Sequence, residues 1–149
     1  MILIIHLLVG AAIATNINFL PLALLLCFLS HYLLDALPHN DPTLKKIKEK
    51  NWRNSFKDFL TILVDFSLGI LLIFLFSKNF SLALVGALIA TLPDIFTFLN
   101  LISPNKVFGR IQDFHIKIHF PNDKKISFFW KLFSQTSVIA IAIFFLLQL

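Results

Sequence analysis

The sequence predicts an all-α fold, a polytopic membrane helix bundle with four to five transmembrane helices in one domain spanning residues 1–149. Three observations carry this expectation. Of 149 residues, 58% are hydrophobic and 14% charged, and 18 are Phe, whereas a soluble domain needs roughly 45–50% apolar and about 25% charged residues. The apolar residues fall in runs close to the ~20 that a helix needs to cross the hydrocarbon core. The charges between those runs gather in two segments. So little polar surface cannot solvate a globule, which excludes a soluble enzyme, a disordered tail and a disulfide-rich module. The single Cys, Cys27, lies inside an apolar run and has no intrachain partner with which to form a disulfide.

Four runs are near spanning length: Phe19–Leu37, Phe59–Phe76, Phe80–Ile102 and Ile126–Leu149. A fifth, Ile2–Ala14, is shorter and suits a thin span or a half-inserted helix. It ends at Thr15-Asn16-Ile17-Asn18, a polar break fit for a tight turn. Ala12-Ile13-Ala14 resembles a cleavage site, but no Lys or Arg precedes the apolar run, so the segment reads as retained.

The two basic segments, residues 38–58 and 103–125, read as cytoplasmic loops. The first holds Lys45, Lys46, Lys48, Lys50, Arg53 and Lys57, and the second Lys106, Arg110, Lys117, Lys124 and Lys125. If the four longer runs each cross once, both segments share a side, and the positive-inside rule makes it cytoplasmic. Trp52 and Trp130 flank these segments, where indole favours the headgroup layer. The expected location is the cell (inner) membrane, with anionic headgroups as partners of the lysines and no nucleic acid. Phe108–Phe120 alternates apolar and polar residues in part, as an interfacial helix or an extended segment on the bilayer would.

Ionisable groups inside membrane helices are expensive, roughly 2.5–3.5 kcal/mol for Asp on insertion scales, and need partners, a metal or a cavity. His31 and Asp35 are four apart and share a helix face; His39 follows at the same interval, just after Pro38. His115 and His119 repeat that spacing, which lets two imidazoles converge on one ion. Asp94 follows Pro93, where a disrupted helix frees backbone carbonyls. His6 sits near the start of the first run. With basic charge fixing the cytoplasmic side, all five His and Asp94 fall toward it. A shared metal site explains that better than separate accidents, although alone His31 and Asp35 also suit a helix cross-link, His115 and His119 an exposed basic interfacial segment, and Pro93-Asp94 a plain kink. Asp65 ranks lower: a further ligand, a partner orienting an imidazole, or a carboxylate bonded to Thr61.

These residues resemble the membrane-bound metal-dependent hydrolase family, the YdjM-like proteins. The matching features are His6 with Gly10, Ser30-His31-Tyr32-Leu33-Leu34-Asp35, Pro93-Asp94, and Arg110 with His115. Arg110 stands five residues before His115, where the family has a compact His-Arg-x-x-Thr-His-Ser segment. A weaker similarity to zinc-dependent phospholipase C rests on His31, Asp35, Pro38 and His39. The resemblance implies a hydrolase using a divalent metal, zinc first, with manganese or iron as other options.

The leading expectation is hydrolysis of an ester or phosphoester, lipid-like, at the cytoplasmic face. His6, His31, Asp35, His39, Asp94, His115 and His119 would hold one or two ions. Asp35 would also serve catalysis, with Arg110 and Arg53 clamping a phosphate. Metal binding or transport without hydrolysis is a second option, but the outer halves of the helices carry almost no ionisable residue for an ion path. A purely structural bundle cross-linked by polar side chains is the third.

Overall fold

The computed structural model describes residues 1–40, 44–119 and 126–148. These form α1 (Leu3–Asn16), α2 (Leu20–Asp35), α3 (Lys45–Lys48), α4 (Phe56–Phe76), α5 (Phe80–Ile102), α6 (Lys106–Ile118) and α7 (Phe128–Leu147), with a 3-10 turn at Trp52–Asn54. Among the described residues there is no strand. Lys124 and Lys125 of the second basic segment lie outside the described residues, as do Phe120 and Leu149 at the ends of two expected elements.

The central element is α1, which packs against α2, α4, α5 and α7. Surrounded in this way, it is apolar on every side, as a fully enclosed helix must be. Ile5, Leu7, Leu8, Ala11 and Ala14 are all completely buried. Its small residues let α5 approach closely. A Cβ added to Gly10 would lie 2.5 Å from the Gly86 carbonyl oxygen and 2.6 Å from the Ala90 Cβ. Glycine and alanine at such a crossing bring two backbones together where apolar burial supplies no driving force. The contact sets His6, about one turn before Gly10, beside the part of α5 that begins at Ala90.

Among the described residues three helices, α4, α5 and α7, are long and apolar enough to cross a membrane. This corrects the expected four to five. The second run spans 19 residues in sequence, but α2 keeps 16 of them, about 24 Å at 1.5 Å per residue. Pro21 lies in its first turn, and Pro38 disfavours helical backbone at Leu37, so the apolar run is trimmed at both ends. With 14 residues, α1 is shorter still. Both short helices lean on the longer ones. The outward faces of α4 and α7 expose Leu63, Phe74 and Phe144, as lipid-facing surfaces do.

Neither basic segment is a plain loop. In the first, Asp58 accepts hydrogen bonds from the Lys46 and Ile47 amides at 2.8 and 3.0 Å, fastening α3 to the start of α4. In the second, the extended alternative for residues 108–120 gives way to α6. Asn105 starts that helix by accepting from the Val107 and Phe108 amides at 3.0 and 2.9 Å. An Asn100–Gln112 hydrogen bond holds α6 against α5. Its outer surface mixes exposed Val107, Phe114 and Ile116 with exposed Arg110 and Lys117, the make-up of an interfacial helix.

Candidate metal centre

One cluster gathers the polar residues of the apolar runs. The C-terminal turn of α2 supplies His31 and Asp35, α5 supplies Asp94, and α6 supplies His115. One ligand atom from each lies within 4.8 Å of all the others. Asp35 Oδ2 is 2.7 Å from His115 Nε2 and 3.1 Å from His31 Nε2. The two Nε2 atoms are 3.3 Å apart, and His31 Nε2 is 3.6 Å from Asp94 Oδ1. His31 and Asp35 are essentially solvent-free, whereas the Asp94 side chain is 42% exposed and forms the open edge.

The ring orientations follow from the opposite nitrogens. His31 Nδ1 lies 2.9 Å from the Ala90 carbonyl oxygen, a pure acceptor, so Nδ1 carries the proton. His115 Nδ1 lies 3.2 Å from Thr97 Oγ1. That hydroxyl gives its own hydrogen to the Pro93 carbonyl at 3.0 Å and so accepts from the ring. In neutral imidazoles both Nε2 lone pairs then face each other and one carboxylate oxygen. Three lone pairs at about 3 Å repel unless a metal cation lies among them or an imidazole takes up a second proton and donates it to the carboxylate. A tetrahedral ion bound at roughly 2.1 Å needs donors about 3.4 Å apart; the His31–His115 and His31–Asp94 spacings of 3.3 and 3.6 Å match this, while Asp35 and His115 at 2.7 Å would have to separate. The donor set, two imidazoles and two carboxylates, fits a borderline divalent metal.

A second set meets the first at Asp35, where one atom each from Asp35, His39 and His119 lie within 4.8 Å of one another. The His39 and His119 rings are 4.8 Å apart, and the His115 and His119 rings 5.7 Å. His6 belongs to neither set. Its ring stacks on His31 with centroids 4.1 Å apart. Its Nε2 is 3.2 Å from Asp35 Oδ1 but off the direction a hydrogen bond requires, and Nδ1 has no hydrogen-bond partner among the described residues. The Met1 amino nitrogen is 2.7 Å from that same Oδ1.

The fold thus draws all five His, Asp35 and Asp94 together, but leaves two expected residues apart. Arg110 is exposed on α6, and among the described residues no hydrogen bond or ion pair links it to the cluster. Asp65 takes a different part from the three considered. Its oxygens accept from the Leu3 and Ile4 amides at 2.6 and 3.2 Å, capping α1 from a neighbouring helix. Thr61 bonds instead to the Lys57 carbonyl. Pro93 sits inside α5, which continues to Ile102, and the Ala90 carbonyl three residues before it accepts from His31 Nδ1. The sequence reading missed Thr97 and the Ala90 carbonyl, which orient the two imidazoles. Thr97 carries no local signal, because it acts only across a helix contact, whereas Pro93 three residues on points to a free carbonyl near Ala90 without naming its partner. No family model matches this chain, and comparison with curated proteins and with solved structures finds no match.

Proposed function

We propose that this protein is an integral membrane metal-dependent hydrolase acting on an ester or phosphoester, lipid-like, at the cytoplasmic face of the bilayer. The observation that carries the reading is the pair of imidazoles whose Nδ1 atoms are committed to oxygen acceptors while both Nε2 atoms aim at Asp35 Oδ2. His31, Asp35, Asp94 and His115 would hold the ion. A divalent ion there supplies Lewis acidity, polarising a substrate oxygen and lowering the pKa of water toward neutrality. The donor types, two imidazoles and two carboxylates, suit zinc, manganese and iron alike.

The remaining roles belong to the side chains. Buried His31, Asp35 and His115 exclude bulk water from the inner wall, and Asp94 at the open edge faces incoming substrate. A carboxylate or an imidazole not engaged with the ion would take and return the proton. Arg110 and Lys117 on the outer surface of α6 would draw anionic headgroups toward the site, each contributing about 1 kcal/mol near a charged surface. The basic segments support the cytoplasmic orientation through the positive-inside rule.

The test is elemental analysis of protein purified in mild detergent without chelator, beside a His31→Ala/Asp35→Asn variant. Bound metal in the wild type, lost in the variant together with turnover of lipid or phosphoester substrates, supports the reading. A wild type that folds metal-free and takes up none when offered it returns the cluster to the role of helix cross-link.

A further inference from the structure

Asp35 is the one residue common to both convergent sets, His31–Asp35–Asp94–His115 and Asp35–His39–His119. We infer that two cations share Asp35, the first held by His31, Asp94 and His115 and the second by His39 and His119, and that the pair takes a phosphate group. This rests on the metal reading of the same cluster and extends it in ion count and substrate class.

Three observations support a second ion beyond the proximity of three residues. The His39 ring repeats the pattern of the first set: Nδ1 lies 2.7 Å from the Leu37 carbonyl oxygen and donates to it, which makes Nε2 the lone-pair nitrogen. The side chain is fully buried. His119 ends α6 one turn after His115, and its amide donates to the His115 carbonyl at 2.9 Å, so one helix end carries both residues at a fixed backbone spacing. A ligand of the first set and a ligand of the second therefore move as a unit.

Charge selects the substrate class. Two divalent ions bring four positive charges against the two carboxylates of the combined sets, Asp35 and Asp94. A carboxylic ester is neutral and leaves that excess unmet. A phosphate ester is anionic and has oxygens to offer each ion, and paired ions about 3.5–4 Å apart are suited to phosphoryl displacement. The exposed edge at Asp94 gives such a group access.

The experiment loads the full-length protein in detergent with Mn²⁺, counts bound Mn per chain, and records low-temperature EPR with and without inorganic phosphate. The expected result is about two Mn per chain with an exchange-coupled spectrum that phosphate perturbs. His119→Ala and His39→Ala should each reduce the count to one and give an uncoupled six-line signal. Asp35→Asn should lose both ions. One Mn per wild-type chain, or two without coupling, overturns the shared pair and leaves the single-ion reading standing. A coupled pair indifferent to phosphate overturns the substrate class. No Mn at all overturns the metal reading itself. If a His variant fails to fold, as circular dichroism would reveal, the wild-type count and spectrum still decide.

Discussion

Asp35 Oδ2 and His115 Nε2 lie 2.7 Å apart although 80 residues separate them in sequence. The contact ties the C-terminal turn of α2 to the last turn of α6, which makes that amphipathic helix a wall of a buried site. Asp35→Asn turns one carboxylate oxygen into an amide N–H₂ and removes the negative charge that three imidazoles approach. The expected outcome is loss of bound metal and a fall in hydrolysis larger than the 10–100-fold typical of a residue that only orients a ligand. Metal analysis and turnover on the same preparation check it. Full activity without metal would sink the metal-dependent reading.

Thr97 does not reach the convergent atoms, yet it sets the His115 tautomer. Thr97→Val keeps the volume and removes the acceptor for Nδ1. Metal affinity should weaken about 10–100-fold, measured by competition with a chromophoric chelator, and Thr97→Ser should restore it. Equal affinities for wild type and Thr97→Val would mean the ring is oriented by packing alone.

An ion bound only in the folded state stabilises by mass action. Zinc supplied at 100 times its dissociation constant should add about 2.7 kcal/mol to chelator-treated protein, read as a rise in Tm in detergent. The His31→Ala/Asp35→Asn variant should show no rise. Superimposable wild-type curves with and without zinc would support a cross-linked bundle that needs no ion.

Asp65 caps α1 through two amides, so removing it leaves two part-buried donors unmet. Asp65→Ala should cost about 1–3 kcal/mol, and Asp65→Asn less, because its carbonyl still accepts one bond. Metal count should stay at the wild-type value in both. A metal-depleted Asp65→Ala protein of wild-type stability would instead make Asp65 part of the site.

The α1–α5 crossing tolerates no side chain at Gly86, where an added Cβ would collide with the Gly10 carbonyl and the Ala14 methyl. Gly86→Leu should destabilise by about 1–3 kcal/mol or more, with Gly86→Ala intermediate. Denaturation in a graded detergent series measures both, and an unchanged midpoint for Gly86→Leu would contradict the close packing.

Much of this protein is legible in its sequence, because the information is local. Phe80–Ile102 matches α5 end to end, and Phe59–Phe76 lies within α4, since an apolar run of spanning length has few alternatives. The spacing of His31 and Asp35, and of His115 and His119, reports side chains one helical turn apart, and charge asymmetry placed all five His toward one side. Other features were settled only by the packed chain. The trimmed ends of α2 left three helices of spanning length. Asp65 caps α1, Thr97 and Ala90 orient the imidazoles, and Asp35 stands between two ligand sets, while Arg110 stays outside the cluster. Each of these depends on which helix lies beside which. That choice is made by the close approach of Gly10 and Gly86, a contact between backbones that no pattern within either helix encodes.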